Sequence, residues 1–195
     1  TYLQDPYTVF IDFDTLDGAV EIRGPGFQRS VFEVTQDSKT YYIIALSNST
    51  VSSFNYNQTL KIMTFNVSGP DYTVGLSSVV ISRELLNGTI TVLVDNEAIY
   101  YTICENATHN FLTFNYAHTT RNVKILPTIK GDVNGDRAID MLDIVRVILA
   151  YASHPGHPRW DPAADITGPN NVPDGKVDMQ DIVYLILHFA EVWKP

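Results

Sequence analysis

One cysteine, Cys104, stands in a chain of 195 residues, so no internal disulfide closes any of its loops. Its surroundings, "IYYTICENAT", read as a strand, and we expect a buried, inert thiol, since no basic neighbour would stabilise its thiolate. Positive charge is also scarce: 13 Lys and Arg face 22 Asp and Glu, for a formal charge of −9. That balance gives no basic stripe for nucleic-acid phosphates and no attraction to anionic lipid, which argues against both as partners. No apolar run approaches the ~20 residues needed to cross a bilayer as a helix, so no membrane insertion is expected. There is no G-x-S-x-G, P-loop, H-E-x-x-H or dinucleotide fingerprint, and we expect a protein that is not an enzyme. Asp12, Asp14 and Asp17 form a small carboxylate cluster, but alternation in "FIDFD" places them on the solvent face of an edge strand rather than in a glycosidase pair. The chain starts at Thr1 rather than Met, from which we expect a processed N-terminus.

What is present falls into two grammars. A hydrophobic fraction of 45% is that of a globular chain. Residues 1–127 alternate and are rich in β-branched and aromatic residues in "YTVFIDF", "AVEIR", "SVFEVT", "TYYIIAL", "LKIMTFNV", "TITVLV", "AIYYTI", "NFLTFNY" and "RNVKIL". Turn compositions such as "TQDSK", "SGPDYT", "LNGT" and "DNEA" separate them. Nine or ten short strands at this spacing predict a β-sandwich, with at most one helical turn at "SRELLNG". After "LPTIK" the pattern becomes acidic loop, apolar helix, Pro-rich link, acidic loop, apolar helix. We place the boundary between 126 and 131, with Pro127 as the hinge, giving domains 1–127 and 128–195. The predicted class is mostly β with a small α module.

The second region repeats itself: "IDMLDIVRVILA" (139–150) aligns with "VDMQDIVYLILH" (177–188) at an offset of 38 residues. Its carboxylates follow the alternate spacing with which an EF-hand-like loop supplies oxygens to a hard cation, at positions 1, 3, 5, 7, 9 and 12. The first loop reads Asp132, Asn134, Asp136, the Ala138 carbonyl, Asp140 and Asp143. Arg137 stands at position six, where Gly is usual, at an expected cost of about 1 kcal/mol for a positive φ. The second loop begins at Asp165 and carries five extra residues before Asp174; Lys176 (carbonyl), Asp178 and Asp181 complete it. Thr167, Asn170 and Asn171 are candidates for the missing mid-loop donor. Calcium is preferred to magnesium, which takes all-protein cages of this size reluctantly. "HPGHP" (154–158) raises zinc, but no Cys or further nearby His supports it.

The two-fold repeat, the "GDVNGD" opening, the Asp-for-Glu ending and "RWDPAAD" together resemble a type I dockerin module over residues 131–190. The resemblance implies one calcium in each loop, two helices folded around the pair, and docking onto a cohesin domain of another protein. Dockerins best known for cohesin recognition commonly place Ser and Thr after loop position nine. Here Met141, Leu142, Met179 and Gln180 occupy those places, which favours an apolar contact. Both helical segments are apolar nearly all round, so the surplus must meet either the chain's own strands or another protein.

Sequons N-x-S/T occur at Asn48, Asn57, Asn66, Asn87 and Asn106, five where composition alone gives about two, and all precede the acidic region. They imply an extracellular or cell-surface glycoprotein. In its order of elements the strand-rich region is similar to a sandwich domain common in archaeal cell-surface proteins. From these readings we expect a calcium-stabilised structural protein whose copies assemble into a fibre or surface layer, by the apolar helices and by strand addition from "TYLQDPYTVFIDF". The alternative is an adaptor or adhesin whose dockerin binds a cohesin-type protein while its β-domain binds carbohydrate.

Overall fold

The computed structural model describes residues 10–13, 20–23 and 26–194. The alternating segments form β1 (Phe10–Phe13), β2 (Val20–Arg23), β3 (Gln28–Gln36), β4 (Lys39–Ser47), β5 (Thr50–Asn57), β6 (Ile62–Ser68), β7 (Val74–Ser82), β8 (Ile90–Val94), β9 (Glu97–Ala98), β10 (Tyr101–Glu105), β11 (His109–Ala117) and β12 (Thr120–Pro127). The apolar segments of the C-terminal region form α1 (Met141–Ala150) and α2 (Met179–Leu187). The mostly-β class with a small α module is therefore the class observed. Two five-stranded sheets run in the orders β10-β11-β7-β4-β3 and β5-β6-β12-β8-β9, and β1 pairs with β2. Thr1–Val9, Asp14 and Asp17 lie outside the described residues, and with them most of the segment expected to add to a neighbour's sheet.

Turn chemistry fixes two of the registers. Asp37 and Ser38 (φ 51° and 63°) join β3 to β4, and Asp95 and Asn96 (φ 53° and 68°) join β8 to β9. Two successive positive φ values make the primed hairpin turn whose twist matches that of paired strands. "SRELLNG" forms a turn rather than a helix. The sequence reading missed β5 and β7. Their "TVSSFNYN" and "VGLSSVVIS" are diluted by Ser, Asn and Gly, which weaken the composition signal of a strand. Yet β7 is central, between β11 and β4. Gly75 is required there because a Cβ would lie 2.1 Å from the Tyr116 ring.

The chain divides into two compact units: Thr1–Asn55, Phe65–Leu85 and Tyr101–Asn122 in one, Tyr56–Thr64, Leu86–Tyr100 and Val123–Pro195 in the other. Within the first, a buried polar chain ties three strands and the loops beside them together. Thr73 Oγ1 donates to Pro70 O at 2.6 Å, so it can only accept from His118 Nδ1. His118 Nε2 then accepts from Ser49 Oγ at 2.7 Å, which accepts from the Tyr116 hydroxyl at 2.8 Å. Tyr116 lies 2.8 Å from Ser77 Oγ, which lies 2.8 Å from Ser47 Oγ, and Ser47 Oγ donates to Leu76 O at 3.0 Å. Each hydroxyl has a partner, as a buried network must to avoid a desolvation cost. Cys104, expected to be buried, is exposed. It lies on β10, an edge strand with few neighbours to cover it.

The second unit holds α1 and α2 together with β8 and β9. Pro127 is the last residue of β12, in register with Ile90. The pairing continues past it, Thr128 donating to Thr89 O at 2.8 Å. Ile129 already packs on the core of the helical region, made of Val133, Ile139, Val147, Ala150, Ala164, Ile166, Val177 and Leu185.

Candidate metal centres

The two acidic loops are closed by the same bonds to their last carboxylate and by similar bonds to their first. In the first, Asp132 Oδ1 accepts from the N–H groups of Gly135 (2.7 Å) and Asp136 (3.1 Å), and Oδ2 from Arg137 (2.8 Å). Asp143 Oδ1 accepts from Val133 (2.8 Å) and Asn134 (3.0 Å), and Oδ2 from Asp140 (2.9 Å). In the second, Asp181 makes the equivalent bonds to Ile166 (2.8 Å), Thr167 (2.9 Å) and Asp178 (2.8 Å). Asp165 accepts from Asp174 (3.2 Å) and Gly175 (2.9 Å). Thr167 therefore occupies the place of Asn134, and the extra residues bulge between positions three and five without disturbing the closure.

Helix capping follows from the same carboxylates. Asp140 and Asp178 are N-caps, accepting from Leu142 and Gln180 at 2.7 Å each, and Asp143 and Asp181 complete capping boxes three residues on. Ile139 and Val177, at loop position eight, are fully buried. Ile139 pairs with Ala190 and Glu191 after α2, at 2.8 Å each, and Val177 with Ala152 (2.8 Å) and Ser153 (3.0 Å) after α1. The two halves are thus reciprocally laced.

The electrostatics of the loops ask for positive charge. Asp132 and Asp143 are 7% and 0% exposed, and neither forms an ion pair with a described cationic side chain. Burial pushes the Asp132 carboxyl up from 3.8 to about 6, against the N–H groups of Arg137 and Gly135 that hold it down; the Asp143 and Asp136 charges raise it further. Burial likewise raises Asp143 and Asp165. Among the described residues no three His, Cys, Asp or Glu side chains converge tightly enough to enclose a cation alone. The donors offered are mixed, carboxylate with amide, hydroxyl and backbone carbonyl, which is the oxygen chemistry calcium takes. Buried, uncompensated carboxylates at that spacing fit such an ion.

The expected donors are not all equally placed. Asp136 and Asn134 bond each other, Asn134 Nδ2 donating to Asp136 Oδ2 at 2.9 Å. Both Asn171 oxygens accept from the Lys130 ammonium, at 2.8 and 2.9 Å, and Thr167 Oγ1 donates to Asn171 Oδ1 at 3.0 Å. Asn170 turns through φ 63° in the short 3-10 segment Pro169–Asn171. His154 and His157 stand edge to face at 5.9 Å within a turn.

The first loop is also seated on strands of its own unit. Gly135 (φ 81°) approaches β8 so closely that a Cβ would lie 2.7 Å from Leu93 Cδ2 and 2.9 Å from Thr91 Cγ2. Arg137 does adopt a positive φ, 78°. Its guanidinium donates to Leu60 O at 2.7 Å and lies 4.3 Å from the Trp193 ring centre, contacts that offset the strain. Arg146 donates to Asp161 Oδ2 (2.6 Å), Val133 O (2.9 Å) and Ala98 O (3.3 Å), so it joins loop, link and β9.

Residues 130–190 match the dockerin type I domain. No curated protein and no solved structure matches the chain. Dockerin domains are interaction modules, and both helices of this stretch leave apolar side chains exposed. Met141, Val145, Ile148 and Leu149 are exposed along α1, and Met179, Val183, Ile186 and Leu187 along α2. These are equivalent positions, 38 residues apart in each pair. Leu142 is 62% exposed, and Gln180 is exposed beside Met179. Among the described residues no helix is long and apolar enough to cross a membrane.

The five sequons differ in what their amides do. Asn48 Nδ2 donates to Val74 O (3.0 Å) and its Oδ1 accepts from Leu76 N–H (2.8 Å), so the side chain acts as a piece of strand. Asn66 accepts from Asn122 at 3.0 Å and is half-buried. Asn57, Asn87 and Asn106 are exposed.

Proposed function

We propose that this protein docks onto a cohesin-type domain of another protein through its dockerin module, outside the cell, with calcium holding the docking helices. The observation that carries this reading is the pair of equivalent apolar stripes left exposed on α1 and α2 of a stretch that matches the dockerin family. Exposed apolar rows of this size mark interaction sites. Asp132, Asn134, Asp136, the Ala138 carbonyl, Asp140 and Asp143 would hold one calcium. Asp165, Thr167, Asp174, the Lys176 carbonyl, Asp178 and Asp181 would hold a second, with Asn171 joining only if Lys130 releases it. Bound calcium supplies the positive charge that the buried carboxylates lack. The chain's own residues do the rest: Asp143 and Asp181 pin loop to helix, and the position-eight residues lace the halves.

The family match favours the cohesin reading over self-assembly, and docking needs no catalytic group. Self-assembly keeps one observation in its favour, since the same apolar stripes would be covered equally well by a second copy. Domain limits of 1–127 and 128–195, and glycans at the exposed Asn57, Asn87 and Asn106, belong to the same extracellular picture.

Calorimetry of the full chain against a panel of cohesin domains, in 2 mM calcium and then in excess chelator, tests it, with light scattering alongside. Tight binding to a cohesin that vanishes on chelation is the expected result. Leu149→Asp or Leu187→Asp should weaken it without changing the fold. Large assemblies of the chain alone, loosened by chelator, together with no cohesin binding, would move the conclusion to the structural subunit.

A further inference from the structure

The strand-rich region carries a cleft that the docking reading does not use. About 690 Å3 in volume, it lies on one face of the β10-β11-β7-β4-β3 sheet, near the end where β3 turns into β4. Pairing aligns Val31 with Ile44, Ile44 with Val80, and Val80 with Phe111. Val80 and Phe111 of this row are buried, so Val31 and Ile44 are the apolar side chains it presents to the cleft. Beside that row Tyr42 is 57% exposed. Its ring offers a flat apolar surface with a polar tip, on which the apolar face of a sugar can stack.

Charge in the cleft runs against the rest of the molecule. Its lining holds Arg29, Lys39 and Arg83 against one carboxylate, Glu84, in a chain whose formal charge is −9. Glu84 is already spent: Lys39 Nζ reaches its oxygens at 2.7 and 2.5 Å and the Tyr41 hydroxyl donates to it at 2.7 Å. Arg83 leans on Glu105 at 3.3 Å, while Arg29 makes no ion pair with a described residue. Thr40, Ser82 and Thr108 add hydroxyls to the wall.

From this juxtaposition we propose that the cleft binds an acidic oligosaccharide, a sugar ring packing on Tyr42, Val31 and Ile44 while its carboxylate or sulfate takes the Arg29 guanidinium. A planar guanidinium offers a carboxylate two parallel hydrogen bonds. A peptide is the poorer occupant. Extended peptides are held by main-chain bonds at an unpaired sheet edge; here the edges are β3 and β10, whereas the cleft lies on a face and offers side chains alone. Hydroxyl-rich ligands with one flat apolar side suit such a wall. The proposal is independent of calcium and of the dockerin module.

The test is a panel of glucuronate-, galacturonate-, sialate- and sulfate-bearing oligosaccharides with their neutral counterparts, presented to the full-length protein and followed by calorimetry on any hit. Binding of an acidic class, at least tenfold tighter than its neutral counterpart, is the expected result. Arg29→Gln and Tyr42→Ala should each weaken it at least tenfold, while Tyr72→Ala, fully exposed elsewhere, should leave it unchanged. Both altered side chains are exposed, and a one-dimensional proton spectrum verifies that the variants fold. Failure of every acidic oligosaccharide overturns the proposal, as does equal binding of the neutral forms or of the Arg29 and Tyr42 variants. Full competition by an equal concentration of inorganic sulfate would show an adventitious anion only, and would also overturn it.

Discussion

Replacing Asp132 by Asn should change the stability of the dockerin module in opposite directions with and without calcium. In the metal-free protein, burial lifts this carboxyl from 3.8 to about 6. Its folded pKa lies above its unfolded one, so the native state holds the extra proton between those values. Stability therefore falls as pH rises through roughly 4 to 6 and stays low above, by about 3 kcal/mol at ~1.4 kcal/mol per pKa unit. Asn removes that charge. Its Oδ1 can keep the bonds to Gly135 and Asp136, but its NH2 faces the Arg137 N–H that Oδ2 accepted. That unpaired donor costs about 1–3 kcal/mol, leaving the metal-free variant at pH 7 between unchanged and about 2 kcal/mol more stable. In saturating calcium the sign reverses, because the first loop has lost a charged donor, and up to about 4 kcal/mol of ligand stabilisation goes with it. Urea unfolding of metal-stripped and calcium-saturated protein from pH 4 to 7.5 measures both. A metal-free variant that is several kcal/mol less stable at pH 7, or one that keeps the parent's full calcium increment, would refute the reasoning.

Other outcomes follow from single contacts. Gly135→Ala should cost well over 1 kcal/mol in chemical unfolding, because strain at φ 81° is joined by a collision with Leu93; Gly156→Ala, at φ 88° with nothing within 4 Å, should cost only about 1 kcal/mol. Arg146→Ala should destabilise by about 1–3 kcal/mol, since Val133 O and Ala98 O lose their donor and Asp161 its partner, and hydrogen exchange should rise at β9. Tyr116→Phe removes the hydroxyl between Ser49 and Ser77 and should lower the unfolding midpoint by about 1–2 kcal/mol of stability.

The calcium loops were legible because their information is local: alternate oxygens, a helix start and a copy 38 residues on. The strand-rich class was legible for the same reason, through period-two runs and turn residues at Asp37-Ser38 and Asp95-Asn96. What escaped was set by distant neighbours. β7 is central because Ser47, Ser77 and Tyr116 satisfy one another, which no window around "VGLSSVVIS" reveals. The seat of the first loop joins Gly135 to Leu93, Arg137 to Leu60 and Arg146 to Ala98, partners dozens of residues apart. Arg137 at position six read as a liability, and its contacts to Leu60 and Trp193 were visible only after folding. Asn48 read as a glycan acceptor, yet its amide serves as strand backbone between Val74 and Leu76.

The seating of the first loop has a mechanical consequence. A partner gripping the helices would pull on the chain, and a lone peptide link after Pro127 would have to bear that tension by itself. Instead the load enters several strands side by side: β8 through Gly135, the turn at Leu60 through Arg137, and β9 through Arg146. Contacts loaded in parallel must fail together, so the rate of forced rupture is governed by the unfolding barrier of the whole seat rather than by any one bond. Under a pipette or an optical trap, the intact protein should hold as one step, and Arg137→Ala with Arg146→Ala should split that step in two.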